Sequence, residues 1–207
     1  MAFVMVVSLL PATVRAADSG DTVTGDISVS SAAELAALGG KDIDGNITLT
    51  ANIDMSNTEM TPIKSLTGCF NGDGKTISGL ALEGGKGSYN WQTGTVYINT
   101  GLIGELDGSV INVKMTDMTI TGIDQYNNVG ALVGKIADGS DSKIDNCTVS
   151  GTIASTKGNG YTSVGALIGL TSGSINASSK LTINNCVSNV ALTGASSTYI
   201  GGLLGTA

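Results

Sequence analysis

A short apolar segment flanked by glycines recurs along the chain and dominates its hydrophobic pattern. It reads V-G-A-L-V-G at 129–134, V-G-A-L-I-G at 164–169 and I-G-G-L-L-G at 200–205, with a shorter T-G-L-I-G at 100–104. The leucines stand at positions 102, 132, 167 and 203, so successive copies are 30, 35 and 36 residues apart. Recurrence at this spacing predicts a repeat architecture. The residues assigned to the structural repeat are Gly130, Leu132, Gly134, Gly165, Leu167, Gly169, Gly201, Leu203 and Gly205.

Each copy is predicted to form a buried β-strand. The copies are too short for an ordinary helix, and their residues are small, apolar or β-branched, as in pleated, buried surfaces. None has a polar face, which is typical of parallel sheets covered on both sides. Parallel strands need a crossover connection, and the segments between the copies show turn residues but no convincing helix.

A coil of strands and turns that stacks on its predecessor meets these requirements, so we predict an all-β fold, a parallel β-helix. Leu132, Leu167 and Leu203 should then lie in a single file inside the rod. A four-bladed propeller is the alternative, because its blades recur at a similar length. Propeller blades need about four strands each, and these units hold only two or three, which favours the β-helix.

A second repeated segment carries the dipeptide Asn-Cys. Asn146-Cys147 and Asn185-Cys186 hold equivalent repeat positions 39 residues apart. The two asparagines are predicted to share a turn column and to hydrogen-bond amide to amide. The two cysteines should face each other in adjacent coils, as a disulfide or as two small buried side chains. Because the chain has three cysteines, complete intramolecular pairing is excluded.

The N-terminal residues indicate a secreted protein. An apolar run at 2–10, ended by Pro11 and followed by V-R-A at 14–16, predicts a signal peptide over 1–16. A truncated membrane anchor is the alternative, although the apolar run is shorter than the about 20 residues that span a bilayer. Residues 17–29 are polar and acidic and are predicted to form a loose lead-in.

A short capping helix is predicted over 31–38. Ser31 stands at the N-cap position, Glu34 follows three residues later, and a glycine pair ends the helical pattern. The helix should cover the first coil, because an exposed sheet end in a solenoid needs a cap. The β-helix is predicted to span 30–207 and to continue beyond the sequence, which ends directly after a repeat strand.

A glycine-rich insertion at 84–99 concentrates aromatic residues. Tyr89, Trp91 and Tyr97 lie within nine positions. Because flat aromatic faces stack on sugar rings, these three are the predicted ligand-binding residues. The alternative is a loop folded over a coil with the rings as its own small core, since buried aromatic side chains dominate packing energetics.

Two further tyrosines keep a constant place in the repeats. Tyr126 and Tyr161 each precede a repeat valine by three residues, whereas Tyr199 directly precedes Ile200. The constant offset predicts a column of two rings, which stacking within the solenoid explains without a ligand.

Composition removes several classes of function. The 207-residue chain has no histidine, and its only arginine, Arg15, lies in the predicted signal peptide. Histidine-dependent triads, histidine general bases and the usual zinc centres are therefore excluded. The formal charge of −7 argues against nucleic acid as a partner, and neither a cofactor nor membrane insertion of the mature chain is predicted. Asp138 and Asp141 offer oxygen ligands to a calcium ion, but turn chemistry explains both, so no metal site is predicted.

The repeats and the segment before them resemble a known family. V-G-A-L-V-G resembles the GLUG motif of bacterial surface proteins, and L-T-G-C-F-N-G-D-G-K-T-I-S-G-L at 66–80 resembles the segment that commonly precedes such repeats. Cys69 departs from that segment where a small hydroxyl residue is usual, and Lys75 where histidine is frequent. The resemblance covers most of 28–207 and implies a right-handed parallel β-helix. Such repeats occur in surface adhesins and in regions that accompany immunoglobulin A-specific metallopeptidases.

Three functions fit this sequence. The first is a non-catalytic scaffold of the adhesin type, secreted or on a bacterial cell surface, whose loops bind a glycan or a host surface protein. The second is a polysaccharide-processing lyase or hydrolase that uses aspartates, with Lys64, Lys75 or Lys114 as base. The third is a passive stalk beside a downstream effector or peptidase domain, in which case a further domain or subunit would cover the C-terminal end of the rod.

Overall fold

A computed structural model describes residues 21–92, 94–155, 161–171, 180–194 and 198–206. The predicted signal peptide lies outside the described residues. The first elements are β1 (Thr22–Thr24), β2 (Ile27–Val29), α1 (Ala32–Ala36), β3 (Asp42–Asp44), β4 (Ile47–Leu49), β5 (Ile53–Asp54), β6 (Ile63–Leu66), β7 (Cys69–Asn71), β8 (Thr76–Ser78) and β9 (Ala81–Glu83). The next are β10 (Ser88–Asn90), β11 (Gly94–Val96), β12 (Ile98–Thr100), β13 (Ile103–Leu106), β14 (Ser109–Ile111), β15 (Lys114–Ile123), β16 (Asn127–Gly130) and β17 (Val133–Ile136). The last are β18 (Asp141–Asp145), β19 (Thr148–Ser155), β20 (Thr162–Gly165), β21 (Ile168–Leu170), β22 (Lys180–Asn184), β23 (Val187–Thr193), β24 (Thr198–Gly201) and β25 (Leu204–Thr206).

Four sheets of parallel strands run along the rod. Sheet A has the order β1-β3-β6-β13-β17-β21-β25, and sheet B has the order β2-β4-β7-β14-β18-β22. Sheet C is β5-β8-β15-β19-β23, with β9 also paired to β15, and sheet D is β12-β16-β20-β24. Each strand pairs in parallel with strands of the neighbouring coils, and from the third coil on the chain visits the four sheets in turn. The fold is the predicted parallel β-helix, and the propeller is excluded.

The repeat leucines lie in the predicted single file. The Leu132 N–H donates to the Leu167 carbonyl at 3.1 Å, and the Leu167 N–H donates to the Leu203 carbonyl at 3.0 Å. Leu132 and Leu167 are fully buried, whereas Leu203 is 44% exposed because it belongs to the last described coil. The same residue type is therefore core in one coil and surface in the next, depending only on whether a further coil covers it.

Two glycines per copy permit the tight arc that joins sheet D to sheet A. A Cβ on Gly165, the first glycine of its copy, would lie 2.6 Å from the Gly205 nitrogen and 2.8 Å from the Leu203 oxygen. A Cβ on Gly169, the second glycine, would lie 2.7 Å from the carbonyl carbon of Asn128. All of these neighbours are backbone atoms, so the sheets can approach this closely only where the side chain is a hydrogen atom.

Strand pairing begins earlier than the sequence indicated. Residues 17–29 were expected to be a loose lead-in, but β1 and β2 pair in parallel with β3 and β4 and form the first coil. Ile27 and Val29 are buried in the core. Three-residue strands carry too little alternation to be recognised alone, and their hydrogen-bond partners lie one coil further along the chain.

The capping helix is present, one residue shorter at its start and two at its end than predicted. The Ser31 side chain accepts a hydrogen bond from the Glu34 N–H at 3.3 Å, and Glu34 in turn accepts from the Ser30 N–H at 2.7 Å. The hydrogen bonds that the Ser30 N–H and hydroxyl donate to the Glu34 carboxylate lower the pKa of Glu34. Helix α1 follows β2 as β5 follows β4, so it takes the place of a sheet C strand in the first coil. Leu35 of the helix and Leu38, two residues after its end, are both buried.

An asparagine ladder runs along the turns that follow sheet B, but with a different membership from that predicted. Asn146 Nδ2 donates to Asn112 Oδ1 at 2.8 Å, and Asn112 Nδ2 donates to Asn71 Oδ1 at 3.2 Å. Asn185 holds the equivalent turn position one coil after Asn146, yet its amide donates to Asp145 Oδ1 at 3.5 Å. The neighbouring carboxylate competes for the Asn185 amide, so the predicted bond between Asn146 and Asn185 is replaced.

The ladder predicts a difference between two matched substitutions. Asn112 and Asn185 both have a positive φ, of 55° and 49°, so glycine fits either backbone. Asn112→Gly should lower the free energy of unfolding by about 1 kcal/mol more than Asn185→Gly, because it removes two amide bonds instead of one long one. Urea unfolding followed by circular dichroism measures this difference, and equal losses would show that the ladder does not stabilise the rod.

Candidate ligand-binding surface

Strands β10 and β11 form an antiparallel hairpin outside the four sheets. All of its described residues are exposed, including Tyr89 at 65% and Trp91 at 81%, with Trp91 at the turn. The alternative of a small core made by these rings is therefore wrong for Tyr89 and Trp91. Two exposed aromatic side chains close together on one hairpin make it the candidate ligand-binding surface.

Tyr97 leaves the hairpin and joins the tyrosine column of sheet D. The predicted pair is present, because the ring centroids of Tyr126 and Tyr161 are 6.3 Å apart with planes inclined at 34°. Tyr97 extends it with an edge-to-face contact to Tyr126 at 5.8 Å. Burial raises the pKa of Tyr97, and the neighbouring tyrosines add to the shift. The phenol thus stays protonated and can donate a hydrogen bond.

The hairpin is fastened to this column at its base. The Gly87 N–H donates to the Gln125 carbonyl at 2.9 Å, and a Cβ on Gly87 would lie 2.5 Å from Cβ of Tyr126. The fully buried Asn127 side chain donates to the carbonyls of Gly85, at 2.7 Å, and of Gln125, at 2.9 Å. Asn127 was not among the predicted site residues, and the only sequence signal was a polar pair directly before a repeat valine.

Two of the three lysines considered as catalytic bases, Lys64 and Lys75, pair with carboxylates. Lys64 Nζ lies 2.7 Å from Asp42 Oδ2, and Lys75 Nζ lies 3.5 Å from Asp73 Oδ2. The hydrogen bond to Asp42 raises the pKa of Lys64. A general base works best with a pKa near the working pH. The pairing with Asp42 moves the pKa of Lys64 further above that pH, which makes Lys64 less suited to act as a base. Lys114 lies on β15 with an exposed side chain.

The structure shows the surroundings of the two aspartates considered as calcium ligands and of the three cysteines. Asp138 pairs with Lys135 at 3.4 Å, Asp141 is exposed at the start of β18, and no group of three or more metal-ligating side chains occurs in the described ranges. All three cysteines are free, so Cys147 and Cys186 are stacked thiols instead of a disulfide. Burial raises the pKa of Cys147 to about 12, which makes it a poor nucleophile.

Comparison with known proteins supports the repeat assignment. Residues 125–154 match the family model described as the GLUG motif. They contain Tyr126, the 129–134 copy and the first Asn-Cys dipeptide, so the resemblance inferred from the sequence is confirmed. Halomucin from Haloquadratum walsbyi is 33% identical over 138 residues, which cover 59% of this chain and 1% of halomucin. The chain thus spans about a hundredth of the curated relative. No solved structure matches it.

No helix in the described ranges has the length and apolar character needed to cross a membrane.

Proposed function

We propose that this GLUG-motif chain is a non-catalytic module of a secreted or cell-surface protein and that it binds a glycan through the aromatic hairpin. The observation that carries the proposal is the exposure of Tyr89 and Trp91 on an element fixed to a rigid rod. The GLUG motif and the similarity to halomucin support a surface repeat module. Because Haloquadratum walsbyi is an archaeon, the bacterial origin expected from the resemblance stays a prediction.

The hairpin suits a ligand with a partly apolar face that can stack on an aromatic ring, such as a sugar. Burying apolar surface contributes about 25 cal/mol per Å², and Trp91 presents most of its surface to solvent. The ring of Tyr89 is available from the first strand of the same hairpin. Since Asn127 and Gly87 fix the hairpin base, little conformational entropy is lost on binding.

A non-catalytic role is supported by the side chains that the chain offers. It has no histidine and a single arginine at position 15. The pKa of Lys64 is raised by its carboxylate partner, and the pKa of Cys147 is raised by burial. None of these groups is tuned toward proton transfer or nucleophilic attack at neutral pH. The stalk and lyase functions have no comparable observation in their favour.

A glycan array followed by titration of the strongest glycan tests the proposal. Trp91→Ala and Tyr89→Ala should each weaken binding at least tenfold, because each removes a stacking face. Thr95→Ala is the matched control, since Thr95 pairs with Tyr89 across the hairpin but carries no ring. Binding that survives both aromatic substitutions would reject the hairpin as the site. A chain that binds a host surface protein but no glycan on the array would reject the glycan as the ligand.

A further inference from the structure

We infer that the chain has a second binding site, an axial groove at the corner of sheets D and A, and that this groove takes an extended, linear, uncharged polysaccharide. The inference rests on the proposed function for the class of ligand, but it uses a different surface. The axial groove is an open cavity of about 520 Å³ that crosses several coils parallel to the rod.

The floor of the groove is a column of polar side chains in sheet D. Asn99, Asn128 and Ser163 stand in register on β12, β16 and β20. Asn128 and Ser163 are buried, at 2% and 7% exposed, whereas Asn99 is partly exposed. Asn128 Nδ2 donates to Asn99 Oδ1 at 2.8 Å. Tyr199 occupies the same column one coil later, so the floor ends in an aromatic ring that is more than half exposed.

Tyrosines form one wall and a column of sheet A forms the other. Tyr97 and Tyr161 directly precede β12 and β20, so they border the floor residues Asn99 and Ser163. Opposite them, Leu170 stands in register between Lys135 and Thr206. All of these residues line one cavity.

The glycines of the repeat explain why a groove forms at this corner. A Cβ on Gly134 would lie 2.6 Å from the Thr100 nitrogen, and a Cβ on Gly205 would lie 2.6 Å from the Val164 nitrogen. Sheet A therefore meets the backbone of sheet D with no side chain between them. The sheet A wall comes so close to the floor that Thr206 Oγ1 of the wall and Ser163 Oγ of the floor hydrogen-bond at 2.8 Å.

The charge of the groove favours an uncharged ligand. Lys135 is its cation, and Lys135 Nζ lies 3.4 Å from Asp138 Oδ2 and 3.7 Å from Glu105 Oε1. Two carboxylates thus offset one ammonium group in a chain of formal charge −7. Amides, phenols and hydroxyls both donate and accept hydrogen bonds, which matches the hydroxyl groups of a neutral sugar and not a row of carboxylates or sulfates.

The spacing of the groove favours an extended chain over a compact ligand. Each coil adds about 4.8 Å along the axis, and the rings of the wall residues Tyr97 and Tyr161 lie 5.8 and 6.3 Å from the ring of Tyr126 between them. One sugar of an extended polysaccharide advances by a similar step. Successive coils can therefore contact successive sugars, so affinity should grow with the number of sugars bound.

Titration calorimetry with linear cello-, xylo- and manno-oligosaccharides of two to six units, and with oligouronates of the same lengths, tests this inference. For at least one uncharged series the affinity should rise tenfold or more between two and five units. Oligouronates should bind at least tenfold more weakly. Tyr161→Ala should remove most of the dependence on length, and Tyr199→Ala provides a second exposed position, at the end of the floor, if the first variant unfolds.

The outcomes separate the two sites. Length-dependent binding that Tyr161→Ala or Tyr199→Ala weakens and Trp91→Ala leaves unchanged supports the groove. Binding weakened by Trp91→Ala alone overturns the groove and leaves the hairpin proposal standing. Stronger binding of oligouronates overturns the uncharged ligand. If the wild-type chain binds no oligosaccharide here and no glycan on the array, both proposals fail.

Discussion

Replacing Gly165 with alanine is expected to lower the free energy of unfolding by about 2–3 kcal/mol, the upper part of the range for overpacking a closed site. The new Cβ would meet the Gly205 nitrogen and the carbonyl oxygens of Ile168 and Leu203. These are backbone atoms of the same arc and of the arc one coil further along, so no side chain can rotate away to make room. A lower midpoint of urea unfolding, measured by circular dichroism, checks the prediction.

Gly202→Ala is the matched control for this substitution. Gly202 stands where the two preceding copies have Ala131 and Ala166, and a Cβ at this position meets nothing within 4 Å. Alanine should leave stability unchanged or raise it by up to about 1 kcal/mol through the unfolded chain. Equal losses at Gly165 and Gly202 would contradict the role that the arc assigns to the first glycine.

Replacing Phe70 with alanine is expected to cost about 3–5 kcal/mol, the range for removing a fully buried aromatic side chain. Phe70 lies in register between Ile47 and Val110, and all three are fully buried. The cavity would open inside a stack whose neighbours are held in place by two sheet ladders, so relaxation should be small. In thermal unfolding the midpoint should fall by roughly 10 °C, at about 2–4 °C per kcal/mol for a chain of this size.

Trp91→Ala serves as the control for Phe70, because it removes an even larger ring from a position that is 81% exposed. Its free energy of unfolding should stay within about 0.5 kcal/mol of the wild type, as expected for a surface substitution. A Phe70→Ala variant as stable as Trp91→Ala would mean that the second and third coils do not pack as described.

The repeat period was sufficient to predict the rod. Leu132 and Leu167 recur at one coil length, and a column of identical residues is what parallel stacking in register produces. The start of the helix was also readable, since Ser31 and Glu34 satisfy local backbone donors within four residues. In both cases the signal is either strictly periodic or strictly local, and a single sequence contains it.

The site was only partly predictable, because its parts come together across coils of unequal length. Tyr97 precedes Thr100 by three residues, the same offset as Tyr126 to Val129, but the first copy lacks the alanine of the arc. When the copies are aligned on their leucines, Tyr97 does not align with Tyr126 and Tyr161. The sequence therefore associates Tyr97 with Tyr89 and Trp91 of the insertion. The sheet D partner of Ile98 is Asn127, and only that pairing reveals the column.

The groove was not predictable from any one repeat. Its floor residues are Asn99, Asn128 and Ser163, and its far wall includes Lys135 and Leu170. No two adjacent floor positions repeat a pattern strong enough to separate them from ordinary turn chemistry. They line one groove because sheets A and D meet closely at this corner, and that close approach depends on backbone contacts between repeat glycines and strands of the neighbouring coil.

The point at which the hairpin enters the rod has a consequence for how such a module can change. The chain departs from the solenoid after Gly87 and returns at Ile98, and the ladders on both sides, Ala81 with Thr119 and Ile98 with Asn127, keep their pairing. In the intervening stretch β10 and β11 pair with each other outside the four sheets, and Tyr97 contacts the tyrosine column of the rod. We therefore expect that the hairpin sequence can be replaced with little loss of stability, so that the proposed ligand-binding surface can vary independently of the rod.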